Sequence, residues 1–211
     1  GDTAVPSQWG LATFVRRSFP IIGQVQAFVH KSFSSNGYGE HPRSRNAHAV
    51  RVYDFQKDRT VCVLHTHGLR DLNGKVDTPE RLAQARRLAD LTSGIAEEGD
   101  HLIVCGDFNA EDHDTALRLA CAGEDDTGSG RLAARVLTPL ERSLPADRRF
   151  TVIHHGRPQM LDHLLASRTL FGRLRSLQIH NEMLEDELVA YGRIDRPPES
   201  LHAPMVAEFA L

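Results

Sequence analysis

His101-Leu102-Ile103-Val104-Cys105-Gly106-Asp107-Phe108-Asn109 is the stretch on which the fold turns. Four consecutive apolar side chains, Leu102 to Cys105, mark a short strand buried on both faces, the kind that lies inside a sheet covered by helices. The run stops at a glycine, which permits close approach of another backbone. A carboxylate and an amide follow at the strand's C-terminal edge, where they can address a ligand together. A β-turn whose Asp and Asn cap the next helix explains the same four residues equally well.

Upstream, Thr78 can cap a helix whose first turn takes Pro79, and Leu82, Ala85, Leu88, Ala89 and Ile95 recur at helical spacing until Gly99. Before it, Ala49 to Phe55 and Val61 to Thr66 flank the polar turn Lys57-Asp58-Arg59 and predict a hairpin. Ser34 to Asn46 reads as a loop and residues 10–17 as a strand. Downstream the pattern predicts a helix over Asp112 to Cys121, a loop over Glu124 to Arg131, and a helical stretch over Leu132 to Leu144 interrupted by Pro139. Strands follow at Phe150 to His154, Met160 to Ala166, Leu174 to His180 and Ala203 to Phe209. This order puts helices over a sheet-rich core, an α/β sandwich of three or four layers.

The whole chain of 211 residues fits one domain, 1–211, and 40% hydrophobic with 25% charged residues excludes disorder, collagen-like repeats and coiled coil. No apolar run is long enough to span a bilayer, and the N-terminus lacks the pattern of a signal peptide. Three cysteines are an odd number, and two of them lie in apolar runs where a thiol acts as a small hydrophobe. A reducing, cytoplasmic setting is expected. The net charge of −3 offers no general cationic field, so a nucleic-acid partner would need a local basic patch.

Twelve histidines stand out, because this side chain serves as acid, base or ligand near neutral pH. His65 and His67 close a strand and alternate onto one face; the same pair also reads as surface histidines. In Met160-Leu161-Asp162-His163-Leu164-Leu165 a carboxylate interrupts an apolar strand and needs a partner. His202, in Ser200-Leu201-His202-Ala203-Pro204, is the candidate, with Asp162 fixing its tautomer as a carboxylate does for a general base. Arg43 and Arg45, in the loop Glu40 to Asn46, can clamp a phosphate bidentately. The acidic stretch Glu182 to Glu187 reads as a solvated face. No His/Cys spacing matches a zinc set.

Taken in order, the strand with Thr66-His67, the helix with Glu80-Arg81 and Gln84, Gly106-Asp107-Phe108-Asn109, Leu161-Asp162-His163 and Ser200 to Pro204 resemble the endonuclease/exonuclease/phosphatase superfamily. The resemblance implies a DNase I-like fold, a four-layer α/β/β/α sandwich, and hydrolysis of phosphate esters with Mg²⁺ or Mn²⁺. It implies that Asp107 orients and helps deprotonate the attacking water, and that Asn109 holds the water or a phosphoryl oxygen. His202, paired with Asp162, would stabilise charge on the phosphoryl group or act as base, and His67 would donate to a phosphate or leaving-group oxygen. Asp107, Asn109 and His202 would lie at the metal.

Two departures qualify the match. The family's Asn at the end of its first strand and Glu after the next have no counterpart, so the chain reads as N-terminally truncated. The family's Ser-Asp-His is Ser200-Leu201-His202 here. The incomplete sheet predicts an exposed edge and apolar patch, and with it a homo-oligomer or a partner. The expected function is a metal-dependent phosphodiesterase, phosphatase or nuclease; the alternative is a phosphate- or partner-binding module without turnover on the same fold. Nucleic acid, lipid headgroups, inositol phosphates and nucleotides all remain as substrates.

Overall fold

The computed structural model describes residues 10–31, 44–71, 74–97, 100–122, 133–192 and 200–211. Its centre is a six-stranded sheet in the order β1-β2-β3-β4-β8-β5. The strands are β1 (Ile21–His30), β2 (Arg45–Asp54), β3 (Arg59–Thr66), β4 (His101–Asp107), β5 (Leu137–Pro139) and β8 (Asp162–Ser167). Only β3 and β4 run parallel; the other pairs are antiparallel. Among the described residues there are also two small two-stranded sheets, β6 (Val152–His154) with β7 (Arg157–Gln159), and β9 (Leu174–Ile179) with β10 (Met205–Phe209).

A parallel neighbour needs a crossover, which is helix α1 (Pro79–Glu97). Its apolar stripe packs Ala85 and Leu88 against Leu64, Leu102 and Val104 of the sheet, and α2 (Thr115–Ala120) adds Leu117 to the same cluster. The strand alternation sends Ile103 and Leu164 to the opposite face, where they meet Leu177 of β9 and Met205 and Phe209 of β10. Helix layer, six-stranded sheet and second sheet thus follow one another in the expected α/β sandwich, and the outer face of the second sheet exposes Arg175, Gln178, Val206 and Glu208. Among the described residues two further helices are short, α3 (Arg168–Phe171) and α4 (Glu187–Tyr191).

Three expectations change. Residues 10–17 alternate in exposure but form no ladder; the strand is β1, which starts after Pro20 and pairs with β2. Arg45 and Asn46, expected in a loop, begin β2. The stretch Leu132 to Leu144 is helical only at Ala133 where described: Leu137–Pro139 is an edge strand on β8, the place a sheet tolerates a residue without N–H, and Leu140–Ser143 is a single 3₁₀ turn.

Among the described residues the six-stranded sheet ends at β1. β1 is the outer strand, carries no Lys, Arg, Asp or Glu, and leaves Ile22 and Val25 56% and 60% exposed. Between β1 to β3 and α1 lies a groove of about 420 Å³ lined by Ile22, Val25, Ala27, Leu64, Leu91 and Ile95.

Candidate active site

Strand direction alone gathers the site. Because β3 and β4 are parallel, their C-terminal ends lie side by side, and β8, antiparallel to β4, begins at the same edge with Asp162 directly opposite Asp107. Backbone closes over this edge tightly. The Gly68 N–H donates to the Asp107 carbonyl at 2.7 Å, and the Phe108 N–H to the Leu161 carbonyl at 2.8 Å. Gly106 has φ +134°, and a Cβ there would sit 2.0 Å from the Thr66 carbonyl oxygen, so no other residue fits without moving β3. A Cβ on Gly68 would meet the Phe108 carbonyl equally closely.

Asp107, Asp162 and His202 present ligand atoms that all lie within 4.8 Å of one another. The Nδ1–H of His202 donates to Asp162 at 2.6 Å, which leaves Nε2 facing away from the carboxylate. That hydrogen bond raises the imidazole's proton affinity above its ordinary value against the cost of burial, and the charges of Asp162, Asp107 and Glu187 add to it. Asp107 is also raised, first by burial and then by Asp162, while the Asn109 N–H, His202 and Arg70 oppose the shift. Two carboxylates held together out of water repel each other, and a divalent cation between them relieves that repulsion.

Asn109 sits in the left-handed region at φ 48°, which asparagine tolerates better than most residues. Its N–H donates to one oxygen of Asp107 at 2.8 Å and its amide nitrogen to the other at 3.2 Å, so it fixes the carboxylate from both ends. The amide nitrogen also reaches the Gly68 carbonyl. His67 lies 3.5 Å from Asp107 through Nε2. Burial holds it down to about 4, with Arg45 and Arg70 adding to the effect, so it is a neutral imidazole at pH 7. Arg45 therefore stands close enough to be felt at the site, whereas Arg43 lies outside the described residues. His65 does not join the cluster; it hydrogen-bonds the backbone at Ala12.

Several further residues support the site. Glu187, expected on a solvated face, is 13% exposed and turns inward, its carboxylate 3.6 Å from Nε2 of His202 and 3.2 Å from Nδ1 of His154. From the buried face of α1, Arg81 donates to the carbonyls of Val76 and Asn109, while Gln84 accepts from Leu69 N–H and donates to the His67 carbonyl. Both stand in the helix segment that carries the family resemblance, and their burial with paired polar atoms gives them a structural task there. Burial pushes the Cys105 thiol up to about 11 and that of Cys121 to about 12, so both stay protonated and neither is a nucleophile.

The model of the Endonuclease/Exonuclease/phosphatase family matches residues 3–183. The chain belongs to this family. Members of this family hydrolyse phosphate esters. The fold agrees with solved family structures. A mannosyl-6-phosphatase from Bacteroides thetaiotaomicron superposes with a TM-score of 0.61 at 13% identity, over 92% of this chain and 68% of that one. Truncated TDP2 of Caenorhabditis elegans gives 0.58 at 16% identity, over 93% and 68%. The catalytic domain of human Nocturnin, solved with a bound sulfate anion, gives 0.51 at 20% identity, over 79% and 52%. The chain thus spans between 52% and 68% of the lengths of these structures. No curated protein sequence matches it. Among the described residues no helix is long and apolar enough to cross a membrane.

Proposed function

We propose that the chain is a metal-dependent phosphoesterase, and the observation that carries this is the convergence of Asp107, Asp162 and His202 within 4.8 Å. The donor set suits Mg²⁺ or Mn²⁺, which take carboxylate oxygens and keep several waters. Asp107 and the oxygen of Asp162 not bonded to His202 would hold the ion, which when bound polarises a phosphoryl oxygen and acidifies water. Asp107, its carboxylate raised and clamped by Asn109, accepts a proton from the attacking water. His202, its proton affinity raised by Asp162, would face the phosphoryl oxygens with Nε2, and neutral His67 would donate a further hydrogen bond. Phosphoryl transfer demands such positioned donors more than covalent chemistry.

The test is hydrolysis of bis(p-nitrophenyl) phosphate with Mg²⁺ or Mn²⁺, with and without chelator. Turnover should require the metal and vanish in Asp107→Ala; full rate in that variant would reject the assignment. A phosphate-binding module without turnover is the second reading, favoured by Leu201, which is buried where the family pattern has a carboxylate. It would show as inorganic phosphate binding with no metal-dependent rate.

Glu187 gives a further prediction. Its charge lies against the nitrogen that must face an anionic substrate, so Glu187→Gln should lower KM for the phosphodiester about tenfold, or roughly 1.4 kcal/mol of like-charge repulsion. The gain should shrink as salt is added. An unchanged or higher KM would place Glu187 off the substrate's path.

A further inference from the structure

The catalytic side chains come from three segments far apart in sequence, 107–109, 161–162 and 202–203, and one residue bonds two of them directly and the third through one further bond. We propose that Thr151 is the positioning residue that sets the distance between Asp162 and His202 and keeps both in register with Asp107. The inference rests on Asp162 and His202 being the working pair of the phosphoesterase.

Thr151 is fully buried. Its side-chain oxygen accepts two backbone hydrogen bonds, from Leu161 N–H at 3.2 Å and Asp162 N–H at 3.1 Å. Its carbonyl accepts from Ala203 N–H, the residue after His202, at 2.8 Å, and its own N–H donates to the Gln159 carbonyl at 2.9 Å. Leu161, so held, receives the Phe108 N–H on its carbonyl, which ties in the loop between Asp107 and Asn109. From its hydroxyl to its carbonyl, therefore, a single residue bridges the backbone of Asp162 to that of Ala203, next to His202, and so braces the backbones behind a pair 40 positions apart.

The residue type follows from this geometry. At the start of β8 the N–H groups of Leu161 and Asp162 need an acceptor in a place closed to solvent, and an unpaired buried N–H is costly. An oxygen on Cβ supplies it, as Thr and Ser do; valine has the same shape and no acceptor. Thr151 touches neither phosphate nor metal, so it acts through the pair. Displacing a reacting group by about 1 Å costs on the order of 10²-fold in rate, and a bond of 2.6 Å leaves little room for such drift.

Thr151→Val and Thr151→Ser test this in the full chain, labelled with ¹⁵N-histidine. The proton on Nδ1 of His202 should give a strongly hydrogen-bonded resonance, assigned by its loss in His202→Gln. Thr151→Val should keep the wild-type circular dichroism, lose or broaden that resonance, and lower kcat on bis(p-nitrophenyl) phosphate about 10²-fold with KM unchanged. Thr151→Ser should restore both. A folded Thr151→Val protein with the resonance and kcat intact overturns the proposal. If Thr151→Val does not fold, the serine variant decides: loss of the resonance in folded Thr151→Ser overturns it equally. A protein without hydrolytic activity whose His202 resonance still depends on Thr151 would reject the hydrolase and support the positioning role.

Discussion

Asp162→Asn is expected to lower kcat for metal-dependent phosphodiester hydrolysis by about 10⁴-fold, the scale seen when an amide replaces the carboxylate that orients a catalytic imidazole. The amide can still occupy the space beside His202, but it supplies no charge to hold the proton on the ring and can present its own N–H to Nδ1, enforcing the wrong tautomer. Two side effects make the variant diagnostic. Asp107 loses the like charge that, after burial, does most to raise it, so its carboxylate becomes a weaker base. The pH dependence of stability also changes. His202 is raised above its ordinary 6.5 in the folded state, so the stability gained from protonating it is fully present below 6.5 and is lost as pH rises through the folded value. Urea midpoints across that interval should fall in the wild type and stay flatter in the variant. A variant retaining more than roughly a tenth of the wild-type rate would remove the Asp162–His202 pair from the chemistry.

What made this site legible was the coincidence of strand ends. An apolar run stopped by a glycine announces a buried strand with something close at its tip, and Gly106 does meet the Thr66 carbonyl there. Asp162 was legible because an ionised group in an apolar strand must have a partner, and His202 is that partner at 2.6 Å. The inward turn of Glu187 was not legible. A run of acidic residues shows how much charge a segment carries and nothing of where each side chain points, and only the contact with His154 and His202 distinguishes Glu187 from its exposed neighbour Glu182. Thr151 was hidden for another reason: its work is done by backbone bonds across three segments, which no local pattern encodes. Residues 10–17 show the converse, a genuine alternation that no partner strand converts into a ladder.

The pair His163 and Glu141 carries the largest stability effect to be expected. His163 was legible only as the neighbour of Asp162, yet it is buried and bonded at both nitrogens, to the Glu141 carboxylate through Nδ1 and to the Ala110 carbonyl through Nε2 at 2.7 Å. The Ala110 carbonyl can only accept, so Nε2 carries a proton, and with Glu141 ionised Nδ1 carries one too, which makes the ring an imidazolium. Burial alone would strip that charge; the Glu141 hydrogen bond and charge outweigh it and raise the ring above its ordinary value. Its edge also packs on the Phe108 ring, with centroids 5.5 Å apart. His163 therefore braces the loop that carries Asp107 and Asn109 from beneath. Glu141→Leu leaves the imidazolium without its counter-charge in an enclosed site, and should cost about 3–5 kcal/mol in urea unfolding. Glu141→Leu combined with His163→Phe removes both charges, and should recover most of that loss except for about 1–3 kcal/mol from the orphaned Ala110 carbonyl. The pH dependence has a definite sign: a ring raised in the folded state holds its contribution below 6.5 and loses it as pH rises through the folded value, and the double variant should lack that loss. If Glu141→Leu costs less than about 1 kcal/mol, the range of a single neutral hydrogen bond, the imidazolium is not there and the loop is held by packing on Phe108 instead.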